Sequence, residues 1–199
     1  MAKRLQSKYS VCKKLNCVYK NLWGLQSKDY IRSVFAKKRK TVTSVGDILC
    51  IKQTLRSFYY NLKERALAQY VKIGVVSNSM TINKIVCMLE SRLDSVLFRS
   101  CFVTSFNQAR QLISHNFVKV NGLKVNFYSR KLKKGDFIVL NTKCLEPNTF
   151  LNTICSRSLP NHLELDLYNF NIIFLWDIKL KSVYYPININ YSNLIRFFK

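Results

Sequence analysis

Acidic side chains are scarce in this sequence and histidines scarcer: 10 Asp+Glu and 2 His stand against 33 Lys+Arg. General acid–base catalysis has little material to work with. Neither a glycine-rich phosphate loop nor a nucleophile motif occurs, and the chain has only 5 Gly. Long apolar runs are missing too. The longest candidate, Leu167–Trp176, lies between Asp166 and Asp177, about half the roughly 20 residues a membrane helix needs. Its Ile and Phe content reads as a buried strand with its turn. The basic start is not followed by an apolar stretch, so no secretory signal is expected. The 7 Cys are odd in number and scattered, which points to free thiols in a reducing compartment rather than a disulfide framework.

What is present is positive charge and a core. The formal net charge is +23 over 199 residues. A self-contained domain gains nothing from such self-repulsion. A polyanionic partner does explain it, and nucleic acid, through counterion release, is the first expectation, ahead of an anionic membrane surface. Hydrophobic residues at 48% and aromatics at 13% supply a packed interior, unlike a disordered basic tail. Length permits one or two small domains. Lys outnumbers Arg by 22 to 11, and Asn occurs 18 times, a bias expected of an A/T-rich genome such as those of organelles and some bacteria.

Along the chain, Met1–Thr43 interleaves aromatics with cations and ends in Lys37-Lys38-Arg39-Lys40. It reads as loops and short helices laid over RNA, or else as a presequence or disordered arm. Gly46–Lys72 has helical spacing, with Leu49, Gln53, Arg56 and Tyr60 on one stripe and Ile51, Leu55, Phe58 and Leu62 on the next, and Gly74 ends or interrupts it. A second helix, capped by Asn78 or Ser79, should run to about Arg99. A third, capped by Thr104 or Ser105, covers Phe106–His115. Strands are expected at Phe117–Val120, Lys124–Phe127 and Phe137–Leu140, with Asn121-Gly122 the strongest turn signal because both positions tolerate positive φ. Asn141–Pro160 reads as a linker, and His162–Asp166 with Ile172–Lys179 as a hairpin.

Residues 89–140 thus read as helix–turn–helix–strand–turn–strand, offering Arg92, Arg99, Gln108, Arg110, Gln111 and Ser114, then Lys119, Asn121, Lys124 and Asn126, then Ser129, Arg130 and Lys131. Cations satisfy phosphates, while Asn, Gln and Ser donate to phosphate and ribose oxygens. A compact platform of this kind reads the shape of folded RNA. Glu90 and Asp94 share a helix face, as an acid/base pair could, but with Arg92 and Arg99 nearby the expectation is a structural ion pair or a helix-entry role. His115 has no partner for catalysis and is expected to contact RNA or make a buried hydrogen bond. Cys12 and Cys17 have the spacing of half a zinc site, yet only Cys50 follows within reach, so no metal is expected.

Leu89-Glu90-Ser91-Arg92-Leu93-Asp94, Phe98-Arg99, Ala109-Arg110-Gln111-Leu112-Ile113-Ser114-His115, Val120-Asn121-Gly122, Lys124-Val125-Asn126 and Lys133-Lys134-Gly135-Asp136 resemble the S-four RNA-binding domain. Upstream, Lys52-Gln53, Leu55-Arg56, Tyr59-Tyr60, Glu64-Arg65 and Tyr70 resemble the long helix of the small-subunit ribosomal protein four family. Asn21-Leu22-Trp23-Gly24 is similar to its N-terminal segment in alphaproteobacteria and mitochondria. Leu163-Glu164-Leu165-Asp166 and the Pro186…Ile189-Asn190…Leu194-Ile195 ending are similar to its C-terminus. Cys101 stands where the family usually has Gly, and Phe106 where it has Arg. This implies one weaker RNA contact and an altered turn. The four-cysteine zinc site of some members of that family is not reproduced.

The resemblance implies an α+β fold: a mostly helical body, about 1–88 with 147–199, carrying a small C-terminal β element, with an S-four domain of two helices and a small sheet at 89–146. It implies a constituent of the small ribosomal subunit that binds small-subunit rRNA early in assembly, touches neighbouring ribosomal proteins, contributes to decoding accuracy and performs no chemistry. No cofactor and no membrane partner are expected. Beyond the residues of the module, Lys52, Gln53, Arg56, Tyr60 and Arg65 are expected on the RNA, and Lys37, Lys38, Arg39 and Lys40 beside the mRNA entry path. The expected location is the mitochondrial ribosome, with a plastid or a bacterial cytoplasm as alternatives. The rival functions are a free RNA-binding regulatory factor with this module and an rRNA-modifying pseudouridine synthase, for whose catalytic domain the length leaves no room.

Overall fold

The computed structural model describes Trp23 and residues 44–77, 80–141, 153, 157–185 and 189–198. It is an α+β protein. Its compact units are Met1–Ala68 with Tyr185–Lys199, and Gln69–Tyr184.

In the first unit, α1 (Ser44–Phe58) and the start of α2 (Glu64–Val76) accompany α6 (Tyr191–Phe198). The sequence reads Gly46–Lys72 as one helix, but the structure breaks it. Tyr60 and Asn61 take φ of 49° and 55°, a left-handed conformation that no α-helix continues through. The break is closed reciprocally: the Leu62 N–H donates to the Arg56 carbonyl and Arg56 Nε donates to the Leu62 carbonyl. Leu55, Phe58, Tyr59, Leu62, Leu67 and Leu194 form the buried cluster. Tyr59 and Tyr185 share a hydroxyl hydrogen bond of 2.7 Å, and the Trp23 indole N–H donates to the Phe58 carbonyl.

The second unit begins within α2 and carries α3 (Thr81–Glu90), α4 (Leu93–Arg99) and α5 (Phe106–Ser114). Gly74 does not end α2. A Cβ there would lie 2.8 Å from Ile85 Cγ1, so the glycine lets α3 approach closely while the helix runs on to Val76. The N-cap of α3 is Met80, without a side-chain cap; Asn78 and Ser79 lie outside the described residues. The expected continuous helix to Arg99 is split at Ser91-Arg92, where Arg92 is extended (ψ 142°). The segment 128–132 staples this break. Leu93 N–H donates to the Arg130 carbonyl, Asp94 N–H to Tyr128, and Leu132 N–H to Ser91. Ser105 caps α5, its Oγ accepting from Gln108 N–H.

Five antiparallel strands follow: β1 (Val118–Val120), β2 (Leu123–Lys124), β3 (Phe137–Leu140), β4 (Leu163–Asp166) and β5 (Asn171–Phe174). Their order is β2-β1-β3-β5-β4. Here the structure corrects the expected division of the chain. The sequence places the C-terminal hairpin with the terminal body, but β5 pairs with β3 (Phe137↔Ile173, Ile138↔Ile172, Val139↔Asn171), because Ile138, Leu140, Ile172 and Phe174 all need the same core. Helix α3 also belongs to this unit, and the unit runs from 69 to 184 rather than from 89 to 146. On the helices of this unit Leu89, Leu93, Val96, Leu97, Ala109 and Ile113 are buried as well. Of the expected linker 141–160, Asn141, Thr153 and 157–160 are described. Thr153 is buried and donates from Oγ1 to the Cys101 carbonyl.

Candidate nucleic-acid interface

The outward face of β1, β2 and β3 is where the sequence pattern and the charge meet. Strand period two sends Val118 and Val120 into the core and Lys119 outward. Asn121-Gly122, with φ of 51° and 81°, turns the chain back tightly. Lys124 then stands directly opposite Lys119 in the register. Two ammonium groups facing each other across a strand pair are destabilising on their own, by roughly 0.2–1 kcal/mol. A bound phosphate turns that repulsion into attraction. Both lysines line a groove of about 690 Å³ with His115, Asn116, Phe117, Val139 and Asn141. Its floor is the sheet, and one wall is the exposed His115 ring stacked near Phe117 (centroids 6.1 Å apart, 14° between planes). Cations, amides and an aromatic face together match the phosphate, ribose and base surfaces of RNA.

Elsewhere in this unit several cations are committed to the fold. Arg92, 2% exposed, grips Asp94, 1% exposed, with Nε to Oδ1 at 3.0 Å and Nη2 to Oδ2 at 2.9 Å. Arg110 Nε adds a third bond to the same carboxylate at 3.0 Å and lies over the Tyr128 ring. Burial pushes the Arg92 guanidinium down, but its bonds to the Asp94 carboxylate push it up by more, so its pKa ends above its ordinary value. Arg99 grips buried Glu90 through Nε and Nη2. Arg157 covers the α4–α5 turn, donating to the carbonyls of Val103 and Thr104 and lying 4.2 Å over Phe98. Burial lowers the pKa of Arg157 and raises that of the Cys101 thiol. His162 is buried, and neither ring nitrogen has a hydrogen-bond partner among the described residues. Burial drives its pKa down to about 4, despite Glu90, so at neutral pH it is an uncharged core residue.

Of the residues expected on RNA, Gln111, His115, Lys119, Lys124, Asn126, Ser129 and Lys131 are exposed on the second unit. Lys131 Nζ lies 5.2 Å over the Tyr70 ring. Ser114 is exposed, its Oγ donating to Gln111. Others are spent inside the protein. Arg92 is buried and Arg99 is bonded to Glu90, because each balances a carboxylate that the core encloses. Gln108 uses its side-chain oxygen to accept from Thr104 N–H and Oγ1. Asn121 bridges Asp136 and the Phe137 N–H. In the first unit Gln53 and Arg65 are exposed and Tyr60 is half-buried. Lys52 is buried at 2.8 Å from Glu64 and 4.0 Å over the Phe197 ring, and Arg56 is tied to Leu62 and Glu64. The Lys52 bond holds the Glu64 carboxyl below its usual range. Lys37, Lys38, Arg39, Lys40, Cys12 and Cys17 lie outside the described residues.

Sequence reasoning missed Asn116, Phe117, Val139 and Asn141 in the groove. Asn116 follows the end of α5 with φ 61°, a helix-stop signal that was legible. Nothing local marks Val139, which is placed by pairing with Lys119. The two departures from the resembled family have physical readings. Cys101 has φ 64°, the conformation that favours glycine. Phe106 is buried and stacks on Phe98 with centroids 4.2 Å apart, so it packs in the core. Among the described residues no cluster of three metal-ligating side chains exists, and no helix is long and apolar enough to cross a membrane.

The S4 domain family model matches residues 91–138. Over the whole chain the sequence is similar to small ribosomal subunit protein uS4 of Pelagibacter ubique (32% identical over 206 residues), of Acidiphilium cryptum (30% over 205) and of Rhodospirillum rubrum (29% over 205). Each comparison covers 100% of this chain and 99% of the relative. The stapled two-helix unit, the opposed lysines and this end-to-end match lead to one assignment: the chain belongs to the small ribosomal subunit protein uS4 family.

Proposed function

We propose that this protein is a structural constituent of the small ribosomal subunit and binds small-subunit rRNA on the groove floored by β1, β2 and β3. The observation that carries the reading is the Lys119–Lys124 pair, a like-charge juxtaposition left in place beside His115 and Phe117 on an outward face. Lys119, Lys124 and Lys131 take phosphates. Gln111, Asn126 and Ser129 donate to phosphate or ribose oxygens, and His115 offers a ring face. The protein works by neutralising charge and fixing converging RNA helices, not by transforming a substrate.

The family resemblance extends the proposal. Binding occurs early in assembly, the protein touches neighbouring subunit proteins, and it contributes to decoding accuracy. Lys37, Lys38, Arg39 and Lys40 face incoming mRNA. We place the protein in a mitochondrion on its Lys- and Asn-rich composition and on Asn21-Leu22-Trp23-Gly24.

The test is sedimentation of organelle extract through a high-salt gradient, with quantitative mass spectrometry of each fraction. About one copy per small subunit after the wash is expected of a structural protein. Loss to the top of the gradient would overturn the reading in favour of a free RNA-binding factor.

A further inference from the structure

The opposite end of the sheet has the opposite character. Residues 158–178 contain no Lys or Arg, in a chain with 33 of them, yet hold Glu164, Asp166 and Asp177. Asp177 is paired with Lys134. Glu164 is exposed and has no ion pair among the described residues. Asp166 is occupied in building the β4–β5 turn: Oδ1 accepts from the Tyr168 and Asn169 N–H groups, and Oδ2 from the Asn169 amide at 2.8 Å. These bonds hold the Asp166 carboxyl below its ordinary range, so it keeps its charge. At the tip of this braced turn Tyr168 is 94% exposed and Leu167 46%.

A bulky aromatic held outward on a rigid turn loses little entropy when it docks, which is how anchor residues work at interfaces. The surrounding charge decides the kind of partner. Phosphates are repelled by Glu164 and Asp166, and no cation of the hairpin offsets them. A basic protein is attracted by the same charges.

We infer that the β4–β5 hairpin is a protein-docking knob. Tyr168, with Leu167 beside it, inserts into an apolar socket rimmed by Lys or Arg on a basic protein of the small subunit, while Lys119 and Lys124 at the other end of the sheet face RNA. This inference rests on the ribosomal reading above.

The experiment places the photo-crosslinker p-benzoylphenylalanine at position 168 of the full chain and isolates small subunits by sedimentation before irradiation. The expected product is one defined crosslink to a subunit protein, in a peptide with Lys or Arg flanking apolar residues. Glu164→Lys, at an exposed strand position, should cut its yield about threefold to tenfold at low salt by reversing a rim charge. A crosslink to rRNA would mean base stacking and would overturn the inference, as would no crosslink, a peptide lacking cations, or a yield indifferent to Glu164→Lys. Absence of the chain from small subunits would instead sink the ribosomal reading itself, so the two failures are distinct.

Discussion

Arg92 separates a fold-holding cation from an RNA-binding one, and the two roles give opposite results on replacement. Its guanidinium is 2% exposed and makes two bonds to Asp94, which is 1% exposed. Breaking a buried pair by deleting one partner costs about 3–5 kcal/mol, because the survivor stays buried with its charge uncompensated. The survivors differ. After Arg92→Ala, Asp94 still has Arg110 Nε at 3.0 Å, so the cost falls near the lower end, about 3 kcal/mol. Asp94→Ala leaves Arg92 enclosed with only a long 3.5 Å contact to the Tyr70 hydroxyl among the bonds described, and the cost approaches about 5 kcal/mol. Arg110 is partly exposed, so Arg110→Ala should cost least, about 1–2 kcal/mol. Replacing the pair together, Arg92→Met with Asp94→Leu, removes both charges and should recover much of the loss. Urea unfolding of the purified chain, followed by tryptophan fluorescence and far-UV circular dichroism, gives the midpoints. The order Asp94→Ala, Arg92→Ala, Arg110→Ala is expected, with unchanged dependence of RNA affinity on salt for whatever fraction remains folded. An Arg92→Ala chain with the parental midpoint and a shallower salt dependence would refute the reasoning, because it would make Arg92 a phosphate ligand.

The remaining expectations concern the groove and the core. Lys119→Ala with Lys124→Ala should leave the urea midpoint unchanged or slightly raised. It should also make the slope of log affinity against log salt shallower by about 0.9 per lost duplex phosphate contact; an unchanged slope in filter binding would remove these lysines from the interface. His162 binds its proton at about 4 in the folded protein and near 6.5 when unfolded. Between those values the unfolded chain holds more protons, so this contribution to stability is full above 6.5 and falls away as pH drops towards 4, by up to about 3 kcal/mol. His162→Phe, which removes both ring nitrogens beside Phe174, should flatten that stretch of the stability–pH curve in urea titrations at stepped pH. Gly74→Ala gains about 1 kcal/mol of helix propensity but drives a methyl to 2.8 Å from Ile85 Cγ1. Overpacking of about 1–3 kcal/mol should win, and Gly74→Ala should cost less in an Ile85→Ala background, where Cγ1 is gone, than in the parent chain, a coupling read from the urea midpoints of the double-mutant cycle.

The elements most legible in the sequence are those whose cause is local. The Asn121-Gly122 turn, the Ser105 cap and the α5 face of Ala109, Leu112 and Ile113 follow from neighbouring residues alone. The breaks at Tyr60-Asn61 and Ser91-Arg92 were not legible. Both interrupt good helical spacing, and the second depends on the 128–132 segment, forty residues away in sequence, supplying backbone partners. The pairing of Arg92 and Arg99 with the nearby carboxylates was legible from spacing, but both also read as RNA ligands, because composition tells that Lys and Arg exceed acids but not which few are enclosed with them. The groove lysines were legible because strand alternation fixes their direction. Asn116 had a helix-stop signal, whereas Val139 and Asn141 needed the sheet register.

The pairing of β3 with β5 has a consequence for biosynthesis. Residues 91–138, the span that the family model recognises, end before the strand that covers their open side. Until residue 174 has left the ribosome making it, β3 exposes an unpaired backbone edge beside an unfinished core, and such edges invite intermolecular pairing. The contacts that close it span more than thirty residues, so they form late and slowly compared with α4 and α5. A gene fragment cut at the recognised span should therefore aggregate, whereas one reaching Tyr184 carries its own cover strand. The boundary of what is recognisable in this chain is not the boundary of what can fold.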